Sequence, residues 1–283
     1  MISIQNTLKE AQYQLKDISQ TPKLDAEVLL YHSIEKQRDY LYHHDHICLT
    51  QSQLASFQRS IKCRLKGEPI AYLLGFKEFW SLSFKVTPDT LIPRPETECL
   101  IEWALNTLPK DDTSANIADL GTGSGAIAIA LAYERPKWQI TATDISAKTL
   151  AVARINAKQH STQNVFFHLN QHHDHWCWNL PNGPFTAIIA NPPYISRDDT
   201  SICPFASAYE PKKALFSDED GLLDLKKIIT EAKNSLKSNG FLALEHGYLQ
   251  ADRVTELMRQ SNYRFVKTYQ DLSGLDRITV GMK

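Results

Sequence analysis

The chain has 283 residues, 42% hydrophobic and 22% charged, enough for about two domains that each bury a core. Lys and Arg number 31 against 32 Asp and Glu, a formal net charge of −1 that excludes a protein gripping nucleic acid chiefly by bulk positive charge. No run of about 18 apolar residues predicts a membrane span, the N-terminal stretch lacks a signal-peptide core, and the scattered Cys48, Cys63, Cys99, Cys177 and Cys203 fit a reducing cytoplasm.

Residues 1–76 read as helical. Ile4, Leu8, Ala11, Leu15 and Ile18 recur at three and four residues, the apolar stripe of an amphipathic helix. Thr21-Pro22 opens a second helix carrying Leu24, Val28, Leu29 and Ile34. Thr50-Gln51-Ser52-Gln53 predicts a capping box before Leu54, Phe57, Ile61 and Leu65. A small helical bundle follows, with no chemistry of its own and a recognition role by default. Over residues 77–93 the period changes: Leu82, Phe84 and Val86 alternate with polar neighbours, which predicts a hairpin linking two domains. Pro93-Arg94-Pro95-Glu96-Thr97-Glu98 is a stiff turn with acids at a helix start, and the second domain is expected to span 94–283.

From Asn116 strands and helices alternate. Strands are predicted at Ile117–Leu120, Gln139–Thr143, Val165–Leu169, Phe185–Ala190, Phe241–Glu245, Phe265–Tyr269 and Arg277–Gly281. Helices are predicted at Ala126–Glu134, from Ser146 to about His160, near Leu222–Leu236 and near Asp252–Ser261. The expectation is an α/β fold: a doubly wound, mostly parallel seven-stranded sheet with an antiparallel edge, beside the N-terminal bundle. Ser196–Asp220 is a long polar loop, of the kind that usually carries function.

Asp119-Leu120-Gly121-Thr122-Gly123-Ser124-Gly125 joins the first large-domain strand to its helix, where glycines let the backbone approach a ligand closely. Its spacing also satisfies the dinucleotide fingerprint, and Asp144 at the next strand end would hold ribose hydroxyls in either NAD or S-adenosylmethionine. Asp119 favours the second. A carboxylate there repels pyrophosphate and attracts the ammonium and sulfonium of a methionine tail; the bland alternative is an aspartate capping the glycine turn.

Asn191-Pro192-Pro193-Tyr194 ends a further strand. The Asn191 side-chain oxygen and the Pro192 carbonyl can both accept from one planar –NH₂ group, and the prolines stiffen the turn. Tyr194 offers that group a flat face. Such a clamp fits an amide or exocyclic amine presented to a methyl donor, so Asn191, Pro192 and Tyr194 are the catalytic candidates and Asn191–Tyr194 the substrate site.

With Asp144, these two stretches resemble the class I S-adenosylmethionine-dependent N-methyltransferases, with their Rossmann-like fold. Gly67–Leu73, Phe79-Trp80, Leu91–Glu98, Tyr209-Glu210-Pro211, Leu244–Gly247 and Asp271–Gly281 are similar to the peptide chain release factor glutamine methyltransferases, the PrmC/HemK family. The resemblance implies S-adenosylmethionine as cofactor, the glutamine of the Gly-Gly-Gln motif in class 1 release factors as acceptor, and a helical domain that helps hold the release factor. It also implies cofactor contacts at Asp119, Gly121, Thr122, Gly123, Ser124, Gly125, Asp144 and Asn191, with Asp174 and Trp176 near the adenine.

Other readings stay open on the residues. They are glutamine methylation of a ribosomal protein, amino methylation of adenine, and a module that binds without turnover. Adenine methylation would call for a basic surface the balanced charge does not supply, so no nucleic-acid substrate is expected. Arg94 either meets the methionine carboxylate or substrate loop, or pairs with Glu96 or Glu98; Glu210 either touches substrate or caps a helix. The clusters His43-His44-Asp45-His46 and His172-His173-Asp174-His175 lack zinc spacing, so no metal is expected. A cytoplasmic monomer is expected.

Overall fold

The computed structural model describes residues 2–109, 114–172, 174–177, 179–199 and 208–283. They fall into two units, Met1–Phe76 with Cys203–Tyr209, and Lys77–Ile202 with Glu210–Lys283.

The first unit contains α1 (Ile4–Leu15), α2 (Pro22–Ser33), α3 (Tyr40–His43), α4 (Gln51–Leu65) and α5 (Ile70–Leu74). Ser3 caps α1, whose Ile4, Ala11 and Leu15 are buried as the stripe requires. The α4 capping box forms: the Gln53 N–H donates to Thr50 Oγ1 at 3.3 Å, and the Thr50 N–H to Gln53 Oε1 at 3.0 Å. Helix α2 departs from the expected face. Leu24 is exposed, while Asp25 and Glu27 are buried beside Ala26, Leu29 and Leu30. Tertiary ion pairs override the periodicity, Arg64 Nε lying 2.8 Å from Asp25 and Arg38 Nη2 2.6 Å from Glu27.

In the second unit, β1 (Phe76–Phe79) and β2 (Leu82–Lys85) make a hairpin through Trp80-Ser81, both with positive φ. Trp80 holds this conformation by donating its backbone N–H to Glu98 and its indole N–H to Glu134, both at 2.8 Å. Phe79, Leu82 and Phe84 are buried in the same cluster as the large sheet, so the stretch predicted as a linker is built into this unit.

The sheet comprises β3 (Asn116–Leu120), β4 (Gln139–Asp144), β5 (Val165–Leu169), β6 (Phe185–Ala190), β7 (Leu236–Glu245), β8 (Arg264–Gln270) and β9 (Asp276–Met282). Its order is β5-β4-β3-β6-β7-β9-β8, parallel but for β9, which runs antiparallel to β7 and β8. Alternate strand residues feed two cores. Ile117, Ala187 and Ile189 pack with α6 (Glu98–Thr107), α7 (Ala126–Glu134) and α8 (Ala147–Gln159). Ala118, Ile188 and Ala190 pack with α10 (Leu223–Ser235) and α11 (Ala251–Gln260); the short α9 is Lys212–Leu215.

Strand β7 starts at Leu236 rather than Phe241. Leu236 pairs with Phe185, but polar Lys237-Ser238-Asn239 and a register irregularity between Phe185 and Ala187 hide that start from pattern reading. Among the described residues no helix is long and apolar enough to cross a membrane.

Register fixes the site. Thr143, Leu120, Ala190 and Leu244 are paired across β4, β3, β6 and β7, so the next residues, Asp144, Gly121, Asn191 and Glu245, end one row at the carboxyl edge.

Candidate active site

The glycine loop is tied down at both ends. The Thr122 N–H donates to the Thr143 carbonyl at 2.8 Å, and the Gly125 N–H to the Thr122 carbonyl at 2.9 Å. Gly121, Gly123 and Gly125 all take positive φ. A Cβ on Gly125 would lie 2.6 Å from Ile129 Cδ1, so this glycine serves packing against α7; one on Gly121 would lie 3.0 Å from the Trp176 ring. Ser124 is buried and its carbonyl accepts from Asn156 Nδ2 at 2.8 Å.

Asp119 lies fully buried beneath the loop. Its Oδ2 accepts from the Thr122 hydroxyl at 2.6 Å, the turn-capping role, but Oδ1 has no hydrogen-bond partner among the described residues. Burial pushes its pKa up to about 7, with the nearby Asp144 charge adding to the rise. Asp144 accepts from the Gly123 N–H at 3.1 Å and the Ser146 N–H at 2.9 Å, and burial raises its pKa too. A carboxylate has about four acceptor positions, so both aspartates keep capacity for a ligand. An orphaned buried oxygen, a cradle without Cβ atoms and a ribose-type carboxylate on the neighbouring strand fit a cationic amino-acid nucleoside.

Trp176 joins this loop and Asp174 does not. The Trp176 indole N–H donates to Asp224 at 3.0 Å, and Asp224 also accepts from the Ser217 hydroxyl at 2.6 Å, which fixes the ring over Gly121. The Asp174 side chain is 91% exposed and faces Lys227 at 3.9 Å. The reason is Asn170, buried at the end of β5. Its side chain bonds the His175 carbonyl at 2.6 Å and the His172 N–H at 3.1 Å, closing a turn that leaves Asp174 outside. The Asn170 N–H donates to the Asp144 carbonyl at 2.9 Å.

At the end of β6, Asn191 Nδ2 donates to Thr97 Oγ1 at 3.0 Å, and among the described residues Oδ1 has no hydrogen bond. Pro192 and Pro193 are buried. The Tyr194 hydroxyl donates to Glu245 Oε1 at 3.1 Å, and burial, with the nearby Glu245 charge, pushes the phenol pKa up, keeping it neutral. Glu245 is itself fully buried. Burial pushes its pKa up to about 7 against the pull of the Tyr194 hydroxyl and the charge of Arg277.

Arg94 and Glu210 pair with each other, not with the partners expected within the turn or a helix end. Glu210 is buried and accepts from Arg94 and, at 3.0 Å, from the Ile92 N–H, so it clasps the Pro93–Glu98 turn to the end of the long loop. Sequence reasoning gave no role to Thr97 or Glu245. A charge ending the apolar run Phe241-Leu242-Ala243-Leu244 was the available signal for Glu245; Thr97 gave none, its partner lying 94 positions away.

The family model of the PrmC N-terminal domain matches residues 6–75, and that of the methyltransferase small domain residues 100–204. The release factor glutamine methyltransferase of Coxiella burnetii is 49% identical over 283 residues, 100% of both chains. That of Escherichia coli is 40% identical over 277 residues, 98% of each. Among solved structures, a methyltransferase from Pyrococcus furiosus shares the fold at TM-score 0.54 and 19% identity, over 80% of this chain and 97% of its own. By full-length identity and by both family models, the chain belongs to the release factor glutamine methyltransferases.

Proposed function

We propose that this chain transfers a methyl group from S-adenosylmethionine to the side-chain amide nitrogen of the glutamine in the Gly-Gly-Gln motif of class 1 release factors. The observation that carries the reading is the Asn191 amide, pinned through Nδ2 to Thr97 with no hydrogen bond on its oxygen among the described residues, one strand from the glycine loop.

The donor supplies an electrophilic methyl carried on a sulfonium. In this reading Asp119 Oδ1 would meet its ammonium group, Asp144 its ribose hydroxyls and Trp176 its base, while Gly121 and Gly123 would let the backbone come close. Thr122, Ser124 and Gly125 hold the loop's shape.

A glutamine amide nitrogen is a poor nucleophile because its lone pair is delocalised. Asn191 Oδ1 and the Pro192 carbonyl each accept one of its hydrogens, and Tyr194, its hydroxyl held by Glu245, lies against the amide plane. Such fixation in line with a methyl contributes on the order of 7–11 kcal/mol. The two acceptors also stabilise positive charge growing on the nitrogen, which then sheds its proton to water. The helical unit is proposed to recognise the release factor. A release factor substrate supports a cytoplasmic location, and the enzyme is proposed to act as a monomer.

Labelled S-adenosylmethionine is incubated with the protein and, separately, release factor, its Gly-Gly-Gln Gln→Ala variant, ribosomal protein and DNA. Label is expected in the first alone. Asn191→Ala should remove turnover, a loss of about a hundredfold or more, while calorimetric affinity for the donor changes far less. Retained turnover in that variant would contradict the clamp.

A further inference from the structure

Thr97, which holds the Asn191 amide, stands in a one-turn helix, Pro95–Thr97, just before α6. On the α6 side its anchor is apolar, with Leu100, Ile101, Trp103 and Ala104 buried in the core. On the other side neither helix nor strand covers residues 86–94. There Glu210 makes the attachment. Its buried carboxylate accepts from the Ile92 N–H at 3.0 Å through one oxygen and pairs with the Arg94 guanidinium through the other. Arg94 in turn is one step from Thr97, because its carbonyl accepts the Thr97 N–H at 3.1 Å and closes the turn. Glu98, a competitor for Arg94 within the same stretch, accepts instead from the Trp80 N–H at 2.8 Å.

Glu210 also belongs to a second support of the clamp. The chain running on from it through α9 returns beside Ile195, the residue after Tyr194. The Ile195 N–H donates to the Leu215 carbonyl at 3.1 Å, and the Ser217 N–H to the Ile195 carbonyl at 2.9 Å. Asn191–Tyr194 is therefore held at its first residue by Thr97 and just past its last by Leu215 and Ser217.

We propose that Glu210 and Arg94 are positioning residues for methyl transfer: their ion pair ties the Thr97 turn to the strip beside Ile195 and so holds the Asn191 amide in register with the Tyr194 ring, while neither residue touches the donor or the acceptor glutamine. The proposal rests on the glutamine-clamp reading and deepens it. An ion pair between two exposed side chains holds its partners loosely. Here the carboxylate is buried and both of its oxygens are engaged, so displacing it would strand a charge away from water and orphan the Ile92 N–H. The Arg94 charge also reaches the far end of the clamp, where it opposes the rise in the Tyr194 pKa. Rigidity matters because the nitrogen must lie in line with the methyl, and a misplacement of about 1 Å can cost about a hundredfold in rate.

The test is methyl transfer to purified release factor by the full-length protein, with rates taken per donor site titrated by calorimetry. Glu210→Gln keeps the shape and an acceptor for Ile92 but removes the charge. Its kcat is expected to fall about tenfold or more, with KM for the release factor and affinity for S-adenosylmethionine within about twofold of wild type. Arg94→Met should show the same split, and Arg94→Lys, which keeps the cation, should recover most of kcat; this pair decides the matter even if Glu210→Gln folds poorly. Thr97→Val supplies the readout that a merely structural role would not move. Without the Thr97 bond to Asn191 the clasp no longer positions the amide, so adding Arg94→Met to Thr97→Val should lower kcat by less than about twofold more. Wild-type kcat in Glu210→Gln or Arg94→Met, losses that multiply in the double variant, or a loss confined to KM or to donor affinity would each overturn the proposal while leaving the function intact. Failure of wild type to methylate release factor would remove both.

Discussion

Asp119, in the proposed donor site, carries a cost in stability at the residue scale. Its carboxyl is fully buried, half satisfied by Thr122, and pushed from 3.8 up to about 7 chiefly by burial. A folded-state pKa above the unfolded value means that the folded chain binds this proton more tightly. The stabilisation is therefore complete below the unfolded pKa and is lost as pH rises through about 7. Above that range the ionised group opposes folding of the ligand-free chain by up to a few kcal/mol. Asp119→Asn removes that charge and nearly keeps the shape. It is expected to raise the melting temperature at about pH 8, to give no gain at about pH 4, and to weaken S-adenosylmethionine binding about tenfold or more. Thermal unfolding at the two pH values and calorimetry check this. A destabilised variant at the higher pH would mean that the negative charge is matched in the folded chain.

Elements carry the clamp's rigidity, and one turn carries much of it. At Asp218–Gly221, Glu219 and Asp220 take left-handed φ and Gly221 has φ +81°, packed against Tyr194. A Cβ on Gly221 would lie 2.1 Å from the Tyr194 carbonyl oxygen. Gln250 ties the same two strips together, donating to the Tyr194 carbonyl at 3.0 Å and the Asp220 carbonyl at 3.1 Å. Gly221→Ala should therefore displace Tyr194, lowering kcat about tenfold or more, with donor affinity nearly unchanged and stability reduced by about 1–3 kcal/mol. Gly75→Ala, at a similar φ of +79° but with open space around it, should cost about 1 kcal/mol and leave kcat alone. These elements also mark what the sequence could and could not disclose. Strand ends, the glycine loop and the Ser146 cap were legible because local chemistry decides them: alternation, turn geometry, one hydroxyl on one N–H. Three features were not: the Arg94–Glu210 clasp, the Thr97–Asn191 bond and the exposure of Asp174. Each depends on a partner far along the chain or on a competing side chain, Asn170, that closes the turn first.

On the scale of the whole molecule, the apolar residues form separate cores. Ile4, Ala11, Leu15, Leu29, Leu30 and Phe57 belong to one that shares no residue with the two cores of the sheet. The proposed donor site lies at the sheet's carboxyl edge, whereas in the helical unit the buried carboxylates Asp25 and Glu27 are paired with Arg64 and Arg38. Separate cores imply separable stabilities, because a cavity in one is felt mainly by the side chains that line it. Leu30 is completely buried in the helical core, and Leu30→Ala should destabilise that unit by about 2–5 kcal/mol. Hydrogen exchange should then accelerate in α1, α2 and α4 while β3, β4 and β6 stay protected. S-adenosylmethionine should bind as in wild type, and KM for the release factor should rise if the helical unit recognises it. Loss of donor binding in step with the helical unit would show instead that the chain folds as one cooperative body, and that residues 1–76 support the donor site as well as the substrate.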